Sequence, residues 1–105
     1  MRNRFDRQLD LLNEKLTAMG AMCEESIALV AKALSNGDLT LAEKVRSESE
    51  TIDGMEREIE NRCMKLLLHQ QPVAKDLRQI SAALKMITDM ERIGVQTRDI
   101  AEIII

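Results

Sequence analysis

Three carboxylates, Asp53, Glu56 and Glu91, fall among apolar residues at helical spacing. Acids turned inward between helices are costly unless they are paired or hold a cation. Helical bundles use such acids on facing helices to bind hard or borderline metals. That is the chemistry these three residues offer. The opposing reading turns them to the edge, where they pair with Arg57, Arg92 or Arg98 and contribute little. Nucleophilic catalysis lacks its parts. His69 is the single histidine, so neither a Ser/His/Asp set nor a Cys/His pair can be assembled. Cys23 and Cys63 lack CxxC spacing and read as two small buried hydrophobes. The seven methionines read as flexible core filler.

The elements that must position these acids follow from periodicity. In the first stretch, about residues 4–35, Phe5, Leu9, Leu12, Leu16, Met19, Cys23, Ser26, Val30 and Ala33 alternate steps of four and three. That spacing marks one face of a helix. Asn36-Gly37-Asp38 stops it, with glycine suited to the left-handed position and Asp38 to capping the next helix. The second helix covers about residues 39–69, with a seam of Ala42, Val45, Ser49, Ile52, Glu56, Ile59, Cys63 and Leu66. Gln70-Gln71-Pro72 ends it. The third covers about residues 72–105. Pro72 is its expected first residue, and Asp76 sits near the positive end of its dipole. Its expected seam is Leu77, Ile80, Leu84, Ile87, Glu91, Gly94, Arg98, Ala101 and Ile105.

Short connections make neighbouring helices antiparallel. The expected fold is all-α, an elongated up-down-up antiparallel three-helix bundle with helices about 45 Å long at 1.5 Å per residue. With the second turn near residue 71, Asp53 and Glu91 differ in height by about 3 Å, and Glu56 lies about one turn further off. Gly20 and Gly54 fall near the same level, where mid-helix glycine implies close backbone approach or room between helices.

Composition supports and limits this reading. At 105 residues the chain is one domain by length. Leu, Ile, Ala, Met, Glu, Lys and Arg dominate, and all are good helix formers. The net charge of −3, with both signs interspersed, gives no basic face for nucleic acid. No signal peptide or membrane-spanning run is present in the sequence, so a cytoplasmic protein is expected. The ending Ile103-Ile104-Ile105 needs cover, from further protein in the natural chain or from another subunit. A homodimer is therefore expected. A bundle enzyme of the chorismate-mutase type would need several basic residues converging at mid-height, where the third helix offers Glu91 and apolar neighbours.

The chain resembles the PhoU family. The resemblance rests on FDRQLDLLNEKLTAMGAMCEESI, ETIDGMEREIENRCMKLLLHQQPVAKDLRQI and DMERIGVQTRDIAE, which together cover nearly its whole length. It is carried by Met19-Gly20, Ile52-Asp53, Asp76-Leu77-Arg78 and Glu91-Arg92-Ile93-Gly94. It implies the first of two tandem three-helix repeats. The implied function is regulation of phosphate transport and phosphate-starvation signalling through protein contacts, without enzyme activity. The implied partners are the phosphate ABC transporter and the phosphate-sensing histidine kinase, with contact to the membrane only through them. Asp76, Arg78 and Arg92 become candidate partner-binding residues. Some family members bind iron, zinc or other divalent metals through acidic motifs. Here the family's Glu-Arg-Ile-Gly-Asp is matched at Glu91 to Gly94 but ends in Val95. The i, i+4 partner of Glu91 is thus missing, and Asp99, about 12 Å along the axis, is too far to replace it. Asp53 matches a family acid. A metal-binding module and a structural coiled-coil adaptor remain the alternative readings.

Overall fold

A computed structural model describes residues 3–69 and 72–105, apart from the side chain of His69. The expected placement of His69 as an exposed or capping side chain, and the stop at Gln70-Gln71, lie outside the described residues. Three helices follow in order: α1 (Arg4–Asn36), α2 (Leu39–His69) and α3 (Ala74–Ile104). They form an elongated bundle measuring 53 × 21 × 17 Å. All three pack against one another.

The helix ends obey local rules. Asn3 caps α1, its Oδ1 accepting from the Asp6 N–H at 2.8 Å. Gly37 closes α1 in the left-handed region, at φ 62° and ψ 34°. The Asp38 N–H then reaches back to the Ala33 carbonyl at 3.0 Å. This is the pairing that glycine after a helix makes possible. Asp38 caps α2 as expected, its Oδ1 accepting from the Leu41 N–H at 3.1 Å. The third helix begins later than the sequence implies. Its first residue is Ala74, not Pro72, and Val73 is the N-cap, in an extended conformation with no side-chain cap bond. A proline ring fits an extended lead-in as well as a first helical turn. Asp76 does lie in that first turn.

The core is built along the predicted seam in α1, where Leu9, Leu12, Leu16, Met19, Cys23, Ser26, Val30 and Ala33 are all buried. The α2 seam is also buried, except that Glu56 is half-exposed. In α3 the expectation is half right. Ile80, Ile87, Gly94 and Ala101 are buried, but their companions are Ala83 and Thr97, not Leu84 and Arg98. Leu77 and Ile105 are exposed. Alternate seam positions thus lie one residue earlier than predicted. The cause is packing size: small Ala83 and Thr97 fit where the helices close, while bulkier Leu84 and Arg98 lie at the edge. Glu91 moves with them, out of the seam and half-exposed.

The apolar interior comes in two parts. The larger holds Leu12, Met19, Ile52, Ile59, Cys63, Ile80 and Ile87. The smaller holds Val30, Ala33, Ala42, Val45 and Ala101. Between them lie the buried polar residues Ser26, Glu48, Ser49 and Thr97. Each helix contributes to this polar layer.

Candidate functional site

The register of α2 against α3 is fixed where Ile52 packs on Gly94. A Cβ placed on Gly94 would lie 3.0 Å from Ile52 Cγ2. Counting antiparallel from that contact, Asp53 is level with Ile93 and Glu56 with Met90. Glu56, not Asp53, therefore stands nearest in height to Glu91. Relative to heights counted from residue 71, the Ile52–Gly94 contact shifts these levels by about two residues.

The electrostatics agree with this placement. The Glu56 carboxyl is pushed above its ordinary value, first by burial, then by the negative charges of Glu60 and Glu91, against the lowering effect of Arg57. Asp53 Oδ1 is shielded from solvent and has no hydrogen-bond partner. Among the described residues, no ion pair joins Asp53, Glu56 or Glu91 to Arg57, Arg92 or Arg98. Arg98 instead approaches Glu102 at 3.7 Å and Asp99 at 3.9 Å. Val95, where the family motif has its second acid, is half-buried. Among the described residues, no three acids, histidines or cysteines come together closely enough to hold a metal ion. The three acids thus share the α2–α3 side of the bundle without closing on one point.

The other expected features are placed as follows. Gly20 is not a close approach, since a Cβ there would meet only Met90 Sδ at 3.8 Å. Gly54 likewise meets only the end of Arg57, at 3.9 Å. Arg78 and Arg92 are exposed, and Asp76 is half-buried. Arg78 and Arg92 stand about 21 Å apart along α3, so they do not form one site. Both cysteines are buried and free. Burial raises the pKa of each thiol, which makes both poor nucleophiles. Cys23 Sγ donates to the Met90 carbonyl at 3.4 Å.

One acid escaped the sequence reading. Glu48 is buried and accepts a 2.9 Å hydrogen bond from the Ser26 hydroxyl. Burial pushes its carboxyl upward, the Ser26 bond lowers it, and Glu25 raises it again. A signal was available: Ser26 in the α1 seam lies across the hairpin from Glu48 when residues are counted from Gly37.

An all-helical bundle with an acidic flank and no assembled catalytic set among its described residues is the class of protein defined so far. The PhoU domain matches residues 16–104. The chain is 41% identical over 101 residues to the phosphate-specific transport system accessory protein PhoU homolog of Clostridium acetobutylicum, covering 95% of this chain and 46% of that protein. It is 37% identical over 90 residues to the homolog from Rhizobium meliloti, covering 86% and 38%. Against that of Synechocystis it is 36% identical over 102 residues, covering 97% and 46%. No solved structure gave a significant match. The chain belongs to the PhoU family, and it spans less than half the length of these relatives.

Proposed function

We propose that this chain regulates phosphate transport and phosphate-starvation signalling through protein–protein contacts, and is not an enzyme. The observation that carries the reading is the PhoU domain match across residues 16–104. Relatives named as accessory proteins of the phosphate-specific transport system support it. The partners proposed are the phosphate ABC transporter and the phosphate-sensing histidine kinase. The place proposed is the cytoplasmic side of the membrane, reached through those partners. No helix among the described residues is long and apolar enough to cross a membrane. A second three-helix unit, in the same chain or supplied by a homodimer, belongs to the proposal. Ile103, 82% exposed, is the surface most in need of cover. Affinity capture from the native host should recover the transporter and the kinase. Recovery of neither, with unchanged phosphate-starvation gene expression on deletion, would refute this reading.

A cation site at Asp53, Glu56 and Glu91 is the second reading. The orphaned Asp53 Oδ1 favours it, and so does the mutual repulsion of Glu56 and Glu91. The described donor set does not fit a complete site, because fewer than three ligands converge among the described residues. Valine at position 95 accounts for the shortfall. Aspartate there would share one helix face with Glu91. Val95→Asp is therefore expected to gain bound iron or zinc in elemental analysis over the unmodified chain. Equal metal content in both proteins would remove the site.

A further inference from the structure

We propose that the groove between the start of α1 and the second half of α2 binds a phosphoryl-type oxyanion, either free phosphate or the phosphoryl end of a small molecule. This goes beyond the regulatory reading and does not rest on it, because it follows from charge and shape on one flank. The groove has a volume of about 450 Å³ and is lined by Arg4, Gln8, Glu58, Asn61, Arg62, Lys65 and Leu66. Its walls are helix faces with residues three or four apart. Arg4 and Gln8 stand on α1, and Glu58, Asn61, Arg62 and Lys65 on α2.

The balance of charge in this groove opposes that of the whole chain, whose net charge is −3. Three cations, Arg4, Arg62 and Lys65, meet a single carboxylate. That carboxylate, Glu58, is already engaged, with Lys15 Nζ 2.9 Å from its Oε1. Arg62 is left under-satisfied. Its Nη2 reaches Glu58 only at 3.5 Å, and its Nε is shielded from water with no partner. A shielded donor without an acceptor is uncommon, and it leaves the guanidinium charge under-compensated. Arg4 and Lys65 form no ion pair with any described residue. Arg4 also occupies the first turn of α1, where the helix dipole disfavours a cation and favours an anion. An oxyanion in the groove would relieve that repulsion and add a counter-charge to the Arg62 guanidinium.

The chemistry selects the ligand class. A carboxylate carries one charge, whereas a phosphoryl group carries about 1.5 to 2 and several strong acceptor oxygens. Guanidinium forks match that geometry. The side-chain amides of Gln8 and Asn61 add neutral donors. The volume falls within the range of small-molecule sites, roughly 300–1,000 Å³. It is therefore larger than an inorganic anion needs and leaves room for an attached organic group.

The purified chain, with no transporter present, is to be titrated at fixed ionic strength with inorganic phosphate and, separately, with ADP. Binding is followed by amide NMR shifts and by calorimetry. Saturable shifts are expected at Arg4, Gln8, Asn61, Arg62 and Lys65. Arg62→Gln and Lys65→Gln should each weaken binding about tenfold, with helicity unchanged by circular dichroism. Arg46→Gln, on the opposite α2–α3 groove, should leave it unchanged. Binding of phosphate identifies the free anion, and binding of ADP alone identifies an organic phosphoryl ligand. Either result supports the site. Shifts reproduced by sodium chloride at the same ionic strength would overturn it, as would equal losses in Arg62→Gln and Arg46→Gln.

Discussion

Gly94→Ala is expected to destabilise the protein, and to stabilise it once Ile52 has been cut back to alanine. Alanine in place of mid-helix glycine normally gains about 1 kcal/mol. Here the new Cβ would lie 3.0 Å from Ile52 Cγ2 and 3.4 Å from both Ile52 Cβ and Cδ1. Ile52 is fully buried, and its branched Cβ holds it in a narrow rotamer range. Overpacking of this kind costs about 1–3 kcal/mol, so the net change is a loss of up to about 2 kcal/mol. Ile52→Ala alone should cost about 2–5 kcal/mol through lost contact and a residual cavity. In that background only the 3.4 Å contact with the residue 52 Cβ remains, and the helix-propensity gain of Gly94→Ala is recovered. Urea unfolding of the four proteins should give a coupling of more than about 1 kcal/mol. Additive losses would show that Gly94 and Ile52 do not press on each other as described.

The second large effect is centred on Ser26. Ser26→Ala removes the hydroxyl that holds Glu48 and strands a buried acceptor, at a cost of about 1–3 kcal/mol. The sign with pH follows from Glu48. Its folded pKa is raised above the ordinary 4.5, with burial the largest cause. The folded state therefore binds the proton more tightly than the unfolded state. Its contribution to stability is greatest below 4.5 and is lost as pH rises through the folded pKa. The Ser26 bond lowers that pKa, so Ser26→Ala raises it further. The deficit of the variant should be full at pH 7 and shrink in acid. Glu48→Gln should be more stable than the wild type at pH 7 and lose that advantage below pH 4.5. Replacing both partners, as Ser26→Ala with Glu48→Leu, should restore stability or exceed it. Thermal melts from pH 3.5 to 7.5 test the set, and a deficit in Ser26→Ala that is constant across that range would contradict the assigned role of Glu48.

These two positions also show what the sequence disclosed and what it withheld. The α1 face was legible residue by residue because large apolar side chains sit at unbroken spacing with polar residues between them. In α3 the same ruler had two admissible phases. Leu84 and Glu91 lie on one, Ala83 and Met90 on the other. Bulk favoured the first, but close helix approach selected the second. That single-residue difference decides whether Glu91 is a core acid or an edge acid. Glu48 was hidden for another reason. It lies beside Ser49 at a position that a single-helix pattern assigns to solvent, and only its partner on α1 brings it inside. Pairings across a bundle depend on register: that of α1 against α2 could be counted from Gly37, whereas that of α2 against α3 rested on where the second turn was centred. The family resemblance was legible because it rests on local blocks of residues and needs no register.

The polar layer of Ser26, Glu48, Ser49 and Thr97 has a mechanical meaning. A rod with a continuous apolar interior opens all along its length or not at all. This one has a seam of hydroxyls and a carboxylate at its waist, with Ser49 Oγ left unbonded. Water admitted there would meet groups able to hydrogen-bond it. The end held by Val30, Ala33, Ala42, Val45 and Ala101 is built mainly from small side chains, while the far half keeps the large ones. Fewer large apolar side chains therefore hold that end, and low local burial is where local opening in folded proteins tends to begin. Ile103 and Ile105 are carried on that end.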